Sequence, residues 1–248
     1  MRWICDGDQR QGNRRRQEDR WDILREETRL LALAADGMGG MPLGAEAAEE
    51  AVKAAGATFQ AKDLRTEDPA KVLLAAVTAA DEAVFEMAAR EGLTGSVGTT
   101  LVAVLAEGRY AWWISVGDSR VYLYRKGVLK QLSRDHTVAE EIREARRREI
   151  SSDDATLFLS PPEAITSFIG IGGLKKVSRS ERPIHAENGD CLLLATDGLF
   201  NTLNSERILA CLRNPPEERA RALVRETLAA GNPFQDNVTA VTLTFESS

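Results

Sequence analysis

Several kinds of residue on which protein chemistry commonly depends are scarce in this chain. Its 248 residues include only three cysteines, Cys5, Cys191 and Cys211, and two histidines, His136 and His185. The cysteines are odd in number, widely spaced and without a CxxC pair. That argues against a disulfide framework or a metal finger and for a reducing compartment. No apolar run approaches the ~20 residues that span a bilayer. The start, Met1-Arg2-Trp3-Ile4-Cys5-Asp6, turns polar too early for a signal peptide, so the expected location is the cytoplasm. Positive charge is not in excess either: 38 acidic against 32 basic side chains give a net charge of −6. That argues against nucleic acid as the main partner, because binding a phosphate backbone calls for a basic surface. There is no GxGxxG, which disfavours a dinucleotide fold, and no internal repeat, low-complexity segment or linker.

The chain does have enough apolar residues, 43% against 28% charged, to build a real core. Residues 20–26 and 29–35 read as a hairpin around Glu26-Glu27-Thr28, the second arm apolar on both sides as in a doubly buried strand. Residues 43–61 read as an alanine-rich helix. Asp68 as N-cap and Pro69 at the first helical position open a second helix over 69–91, with Val72, Leu73, Ala76, Val77, Ala80, Val84 and Met87 at helical spacing. An antiparallel meander follows over 99–106, 109–116, 119–125 and 128–132, turning at Glu107-Gly108 and Lys126-Gly127. Residues 137–149 read as a charged helix and 150–175 as a mobile excursion. Strands are then expected at 177–184, 190–196 and 237–245, and helices at 204–213 and 216–230. Runs of strands and of helices in turn indicate an α+β fold with helices packed on antiparallel sheets.

Acids punctuate these elements. Glu18-Asp19, Asp36-Gly37-Met38-Gly39-Gly40, Val116-Gly117-Asp118-Ser119, Asp197-Gly198 and Asp236-Asn237 each fall where a strand begins or ends. Strands sharing one end of a sheet would bring these carboxylates together, and like charges at contact distance repel and raise each other's pKa. Carboxylates, carbonyls and water are the ligand set of Mg²⁺ or Mn²⁺. Each motif alone has a plain alternative: a glycine turn at 37–40, a hairpin turn at 117–119, an N-cap at Asp197. Their joint order is far more specific. A hydrophobic strand leads into Asp-Gly-x-Gly-Gly, followed by Gly-Thr-Thr-Leu, Ser-Val-Gly-Asp-Ser-Arg, Thr-Asp-Gly-Leu and Asp-Asn-x-Thr-x-Val.

In that order the chain resembles the metal-dependent serine/threonine phosphatases of the PPM/PP2C family in their short bacterial form. The likeness runs from Gly12-Asn13-Arg14 to Val241. It implies one phosphatase domain over 1–248, a sandwich of two antiparallel β-sheets flanked by antiparallel helix pairs, with a flap-like excursion at about 137–175. It also implies two Mn²⁺ or Mg²⁺ ions. Asp36 would bridge them and the Gly37 carbonyl would ligate one. Asp197 and Asp236 would hold the other, with Glu18 in direct or water-mediated contact and Asp19 and Asn237 in support behind. Asp118 with Asp197 matches the position of a third, weaker metal. Arg14 matches the arginine that grips phosphate, a role its bidentate guanidinium suits. The implied activity is hydrolysis of phosphoserine and phosphothreonine in proteins by a metal-activated water, reversing a bacterial kinase, in a monomer.

No protein nucleophile is needed, and there is no CxxxxxR loop of a cysteine phosphatase. Where many relatives carry a histidine after Asp-Gly, this chain has Met38, which leaves the proton donor unassigned. His136 is expected to be structural, as are Thr99 and Thr100, and His185 inert. Arg146-Arg147-Arg148 reads as a solvated helix face. Ile165-Thr166-Ser167-Phe168-Ile169-Gly170 departs from the family's Leu-Thr-Arg-Ala-Leu-Gly, so substrate preference is expected to differ.

Overall fold

A computed structural model describes residues 1–38, 43–61, 66–147 and 160–247. Gly39, Gly40, Arg148 and the middle of the expected excursion lie outside the described residues. The strands are β1 (Arg2–Arg10), β2 (Asp19–Glu26), β3 (Arg29–Met38), β4 (Gly98–Thr99), β5 (Leu101–Glu107), β6 (Tyr110–Val116), β7 (Arg120–Arg125), β8 (Val128–Gln131), β9 (Ser178–Arg179), β10 (Ile184–His185), β11 (Cys191–Ala195) and β12 (Val238–Glu246). The helices are α1 (Gly44–Gln60), α2 (Pro69–Arg90), α3 (Val138–Arg147), α4 (Asp197–Phe200), α5 (Ser205–Leu212) and α6 (Arg219–Ala229).

One antiparallel sheet runs β1-β12-β11-β7-β8 and the other β10-β6-β5-β3-β2, with β4 on β3 and β9 on β6. Strand alternation explains the layering. In β3, Leu31, Leu33 and Ala35 face a core shared with Ala48, Val77 and Val84 of α1 and α2. The alternate residues Leu30, Ala32 and Ala34 face Leu192, Leu194, Val241 and Leu243 of the opposing sheet. The outer face of that second sheet, through Leu193, Ala195, Val238 and Ala240, packs on Leu199, Leu212 and Leu223 of the C-terminal helices. The architecture is therefore an α+β sandwich of four layers, as the sequence implied.

Asp68 caps α2 by accepting the Ala70 N–H at 2.8 Å, and Pro69 follows at the first helical position. Two expectations change, and one strand was not expected. The expected strand at 177–184 is two dipeptide strands, because Ser180 turns its backbone and side chain onto Trp113 and Pro183 has no N–H to extend a ladder. The helix expected from 216 opens as a 3₁₀ turn over Pro216–Glu218. And β1, too polar to stand out, forms a nine-residue antiparallel pair with β12. Of the expected excursion, the described ends are fastened by bridges Thr137↔Ile165 and Thr99↔Ile169.

Candidate metal centre

Five acids from five separate segments of the chain reach one cavity of about 410 Å³, lined by Arg14, Glu18, Asp36, Gly37, Met38, Thr100, Asp118, Ile165, Asp197, Asp236 and Asn237. Glu18 precedes β2, Asp118 lies between β6 and β7, Asp197 opens α4 and Asp236 precedes β12. Asp36 is the exception to the strand-end pattern. It sits inside β3, which continues to Met38 because Gly37 and Met38 pair with Thr99 and Gly98.

The backbone at Asp36 is clamped. Its N–H donates to Thr100 Oγ1 at 2.9 Å, and its carbonyl accepts from the Thr99 hydroxyl at 2.8 Å and the Thr100 N–H at 2.9 Å. Thr99 and Thr100 are therefore structural, as expected, but what they hold is the backbone at Asp36. Gly37 has to be glycine, since a Cβ there would lie 2.1 Å from the Gly44 carbonyl oxygen at the start of α1. A Cβ on Gly198 would likewise lie 2.0 Å from the Asn237 carbonyl oxygen. The Glu18 carboxylate lies against Gly44, where the N-terminal end of α1 favours negative charge.

Asn237 joins the segments around the cavity. Its Oδ1 accepts the Glu18 N–H at 2.7 Å, while its Nδ2 donates to the Gln11 and Arg16 carbonyls at 2.7 and 2.9 Å. Asp19 lies beneath the cavity, opposite Asp36 in the β2–β3 register and fully buried. Its Oδ2 accepts hydroxyls from Thr196 and Thr239 at 2.8 and 2.7 Å. Both threonines sit in the Thr-Asp-Gly and Asn-x-Thr motifs, so the signal was visible although their partner was not. Gln235 was missed altogether. It is buried and donates to the Gly198 and Asp236 carbonyls at 2.9 and 3.1 Å, tying the two acid-bearing segments together.

The electrostatics are unfavourable for bare carboxylates. Burial pushes Asp36 well above the usual carboxylate range, with Asp19 and Asp197 adding repulsion. Burial first, then the Asp236 charge, raises Asp197. Asp118 is pushed up to about 6 and Asp19 to about 7, in both cases mainly by burial. Burial also raises Glu18.

The donors fit hard divalent cations: carboxylates, the Gly37 carbonyl and a buried Asp197 Oδ1 that has no hydrogen-bond partner. Among the described residues, no three acidic, histidine or cysteine side chains already form a closed ligand cluster. The side chains turn to one another instead. Arg14 pairs with Asp236 at 2.5 Å, and Asn201 donates to Asp197 Oδ2 at 3.1 Å.

His136 is a structural post. Its Nδ1 accepts the Gly117 N–H at 3.1 Å beside Asp118, and burial lowers its pKa to about 4, so the ring is neutral. His185 stacks edge-on against Tyr110. Arg146 and Arg147 are exposed on α3. Unforeseen in the sequence, Asp81 of α2 is buried and anchors the glycine-rich segment after Ile169, accepting N–H groups of Gly170, Ile171 and Gly173 at 2.7, 3.0 and 2.7 Å.

The family description of Protein phosphatase 2C matches residues 6–237. The chain is 36% identical to the serine/threonine protein phosphatase PstP of Mycobacterium tuberculosis over 218 residues, covering 86% of this chain and 40% of that one. It is 29% identical over 213 residues to the serine/threonine phosphatase stp of Listeria monocytogenes, covering 85% of this chain and 82% of that one. Among solved structures it resembles the catalytic domain of PstP in complex with two manganese ions, at a TM-score of 0.76 and 28% identity, covering 99% of each chain. The chain thus spans about two fifths of the length of the mycobacterial relative.

Proposed function

The chain belongs to the Protein phosphatase 2C family, and from that membership we propose that residues 1–248 form one metal-dependent phosphatase domain acting on phosphoserine and phosphothreonine in proteins. The observation that carries this reading is the meeting of five acids and one exposed guanidinium, Arg14, in a single open cavity. Asp36, the Gly37 carbonyl and Glu18 are assigned to one Mn²⁺ or Mg²⁺ and Asp36, Asp197 and Asp236 to a second, with Asp118 and Asp197 available to a third. When bound, the ions supply a water acidified for attack and positive charge on the phosphoryl oxygens.

The residues do the rest. Arg14 is 61% exposed, so its guanidinium is free to swing from Asp236 onto two phosphate oxygens of an entering phosphoresidue. Thr99 and Thr100 keep Asp36 from shifting, and Asn237 holds Glu18 and the Arg14 segment against β12. Met38 lines the cavity but cannot donate a proton, and His136 is turned to Gly117. The leaving oxygen therefore takes its proton from water admitted to the cavity. A monomer in the cytoplasm that reverses a serine/threonine kinase is the setting this reading fits; among the described residues no helix is long and apolar enough to cross a membrane.

The test is phosphate release from a phosphothreonine peptide with Mn²⁺. It should stop with EDTA and in Asp197→Asn; release that survives either would sink the assignment.

A further inference from the structure

Phe234 is 87% exposed, the most exposed large apolar side chain among the described residues. Its backbone is nevertheless tightly fixed. Asn13 Nδ2 donates to the carbonyls of Asn232 and Pro233, both at 3.1 Å, and the Asn13 N–H donates to the Gln235 carbonyl at 2.8 Å. The Phe234 N–H donates to Asn232 Oδ1 at 3.0 Å. On the other side, buried Gln235 is held by Thr202 and by the Gly198 carbonyl. An ordered loop therefore holds a phenyl group in water, and contact with an apolar group would take that surface out of water.

Its position identifies the partner. Asp236 and Arg14 both line the cavity, and Phe234 is two residues from the first while its loop is bonded to the neighbour of the second. Two residues of extended chain span at most about 7 Å. A phosphoresidue seated on Arg14 would thus place the substrate residues one to three positions away within reach of the phenyl ring.

Resting on the phosphatase reading above, we propose that Phe234 is a specificity-determining residue that packs on an apolar side chain beside the phosphoresidue, so that this enzyme favours phosphosites with apolar flanks. Its contact is with the peptide and not with the reacting atoms, so it acts on KM.

The experiment compares two phosphothreonine peptides that differ only in leucine or serine at the flanking positions, together with p-nitrophenyl phosphate, all with Mn²⁺. The natural chain should show a KM about fivefold lower for the leucine peptide, the scale of one aromatic interface contact. Phe234→Ala should erase that preference with kcat retained, Phe234→Leu should keep most of it, and both variants should melt with the natural chain. A natural chain without the preference, or a Phe234→Ala that keeps it, overturns the inference and leaves the phosphatase reading standing. No Mn²⁺-dependent release from any of the three substrates overturns both.

Discussion

Beneath the cavity and beside the Gly170–Gly173 segment, the fold buries acids in two contrasting ways. Asp81 is buried with both oxygens bonded to backbone N–H groups, and its charge is matched by the ends of those dipoles. Asp36, Asp118 and Asp197 face one another across a partly open cavity, and burial and mutual repulsion push each of them up. Asp19 below them has one oxygen bonded by two hydroxyls and the other without a hydrogen-bond partner. The first acid holds backbone in place. The second group is held against burial and repulsion that cations would relieve, which distinguishes a structural acid from a candidate ligand.

Asp36→Asn tests this difference most severely. Mn²⁺-dependent phosphate release should fall on the order of a thousandfold, while in EDTA at pH 8 the variant should melt above the natural chain, because a repelled charge is gone. A lower melting point would mean that the Asp36 charge is not repelled in the metal-free fold. Next in size, Arg14→Ala should cut kcat/KM for a phosphopeptide about a hundredfold with little change in melting, since the pair it breaks is solvent-accessible.

Asp81→Ala should do the reverse. It leaves three N–H groups without their carboxylate and should cost about 3 kcal/mol in urea unfolding, while turnover of p-nitrophenyl phosphate well below the transition is largely kept. Equal stability would show that the anchor does not depend on that carboxylate.

The last effect, confined to acid pH, concerns His136. Its folded pKa, lowered to about 4 by burial, lies below the unfolded value near 6.5, so its contribution to stability is present above pH 6.5 and lost as the pH falls towards 4. His136→Gln, which can still accept from Gly117, should flatten the melting-temperature slope over that interval. An unchanged slope would mean that the ring is not held neutral.

Much of this was legible in the chain. The continuous apolar run of β3, the Asp68-Pro69 helix start and the order of the acidic motifs carry local physical signals, and the structure brings all five acids to one cavity. Legibility failed where partners are distant or patterns weak. β1 is polar and short of β-branched residues, and only its pairing with β12, more than two hundred residues away, makes it a strand. The single strand expected at 177–184 is two fragments because no local pattern reveals that the Ser180 hydroxyl takes the Trp113 N–H.

Residue type and order alone were enough for the family, for most of the strands and helices after β1, and for the five acids of the cavity. Each depends on residue type and spacing, and both are written locally. Tertiary structure decided how those acids are treated: Asp19 between two threonines, Asp236 against Arg14, Asp197 with an oxygen lacking a hydrogen-bond partner, Asp81 fully bonded. The same carboxyl group is an anchor or a candidate ligand according to what packing brings within 3 Å of it, and no local pattern specifies that.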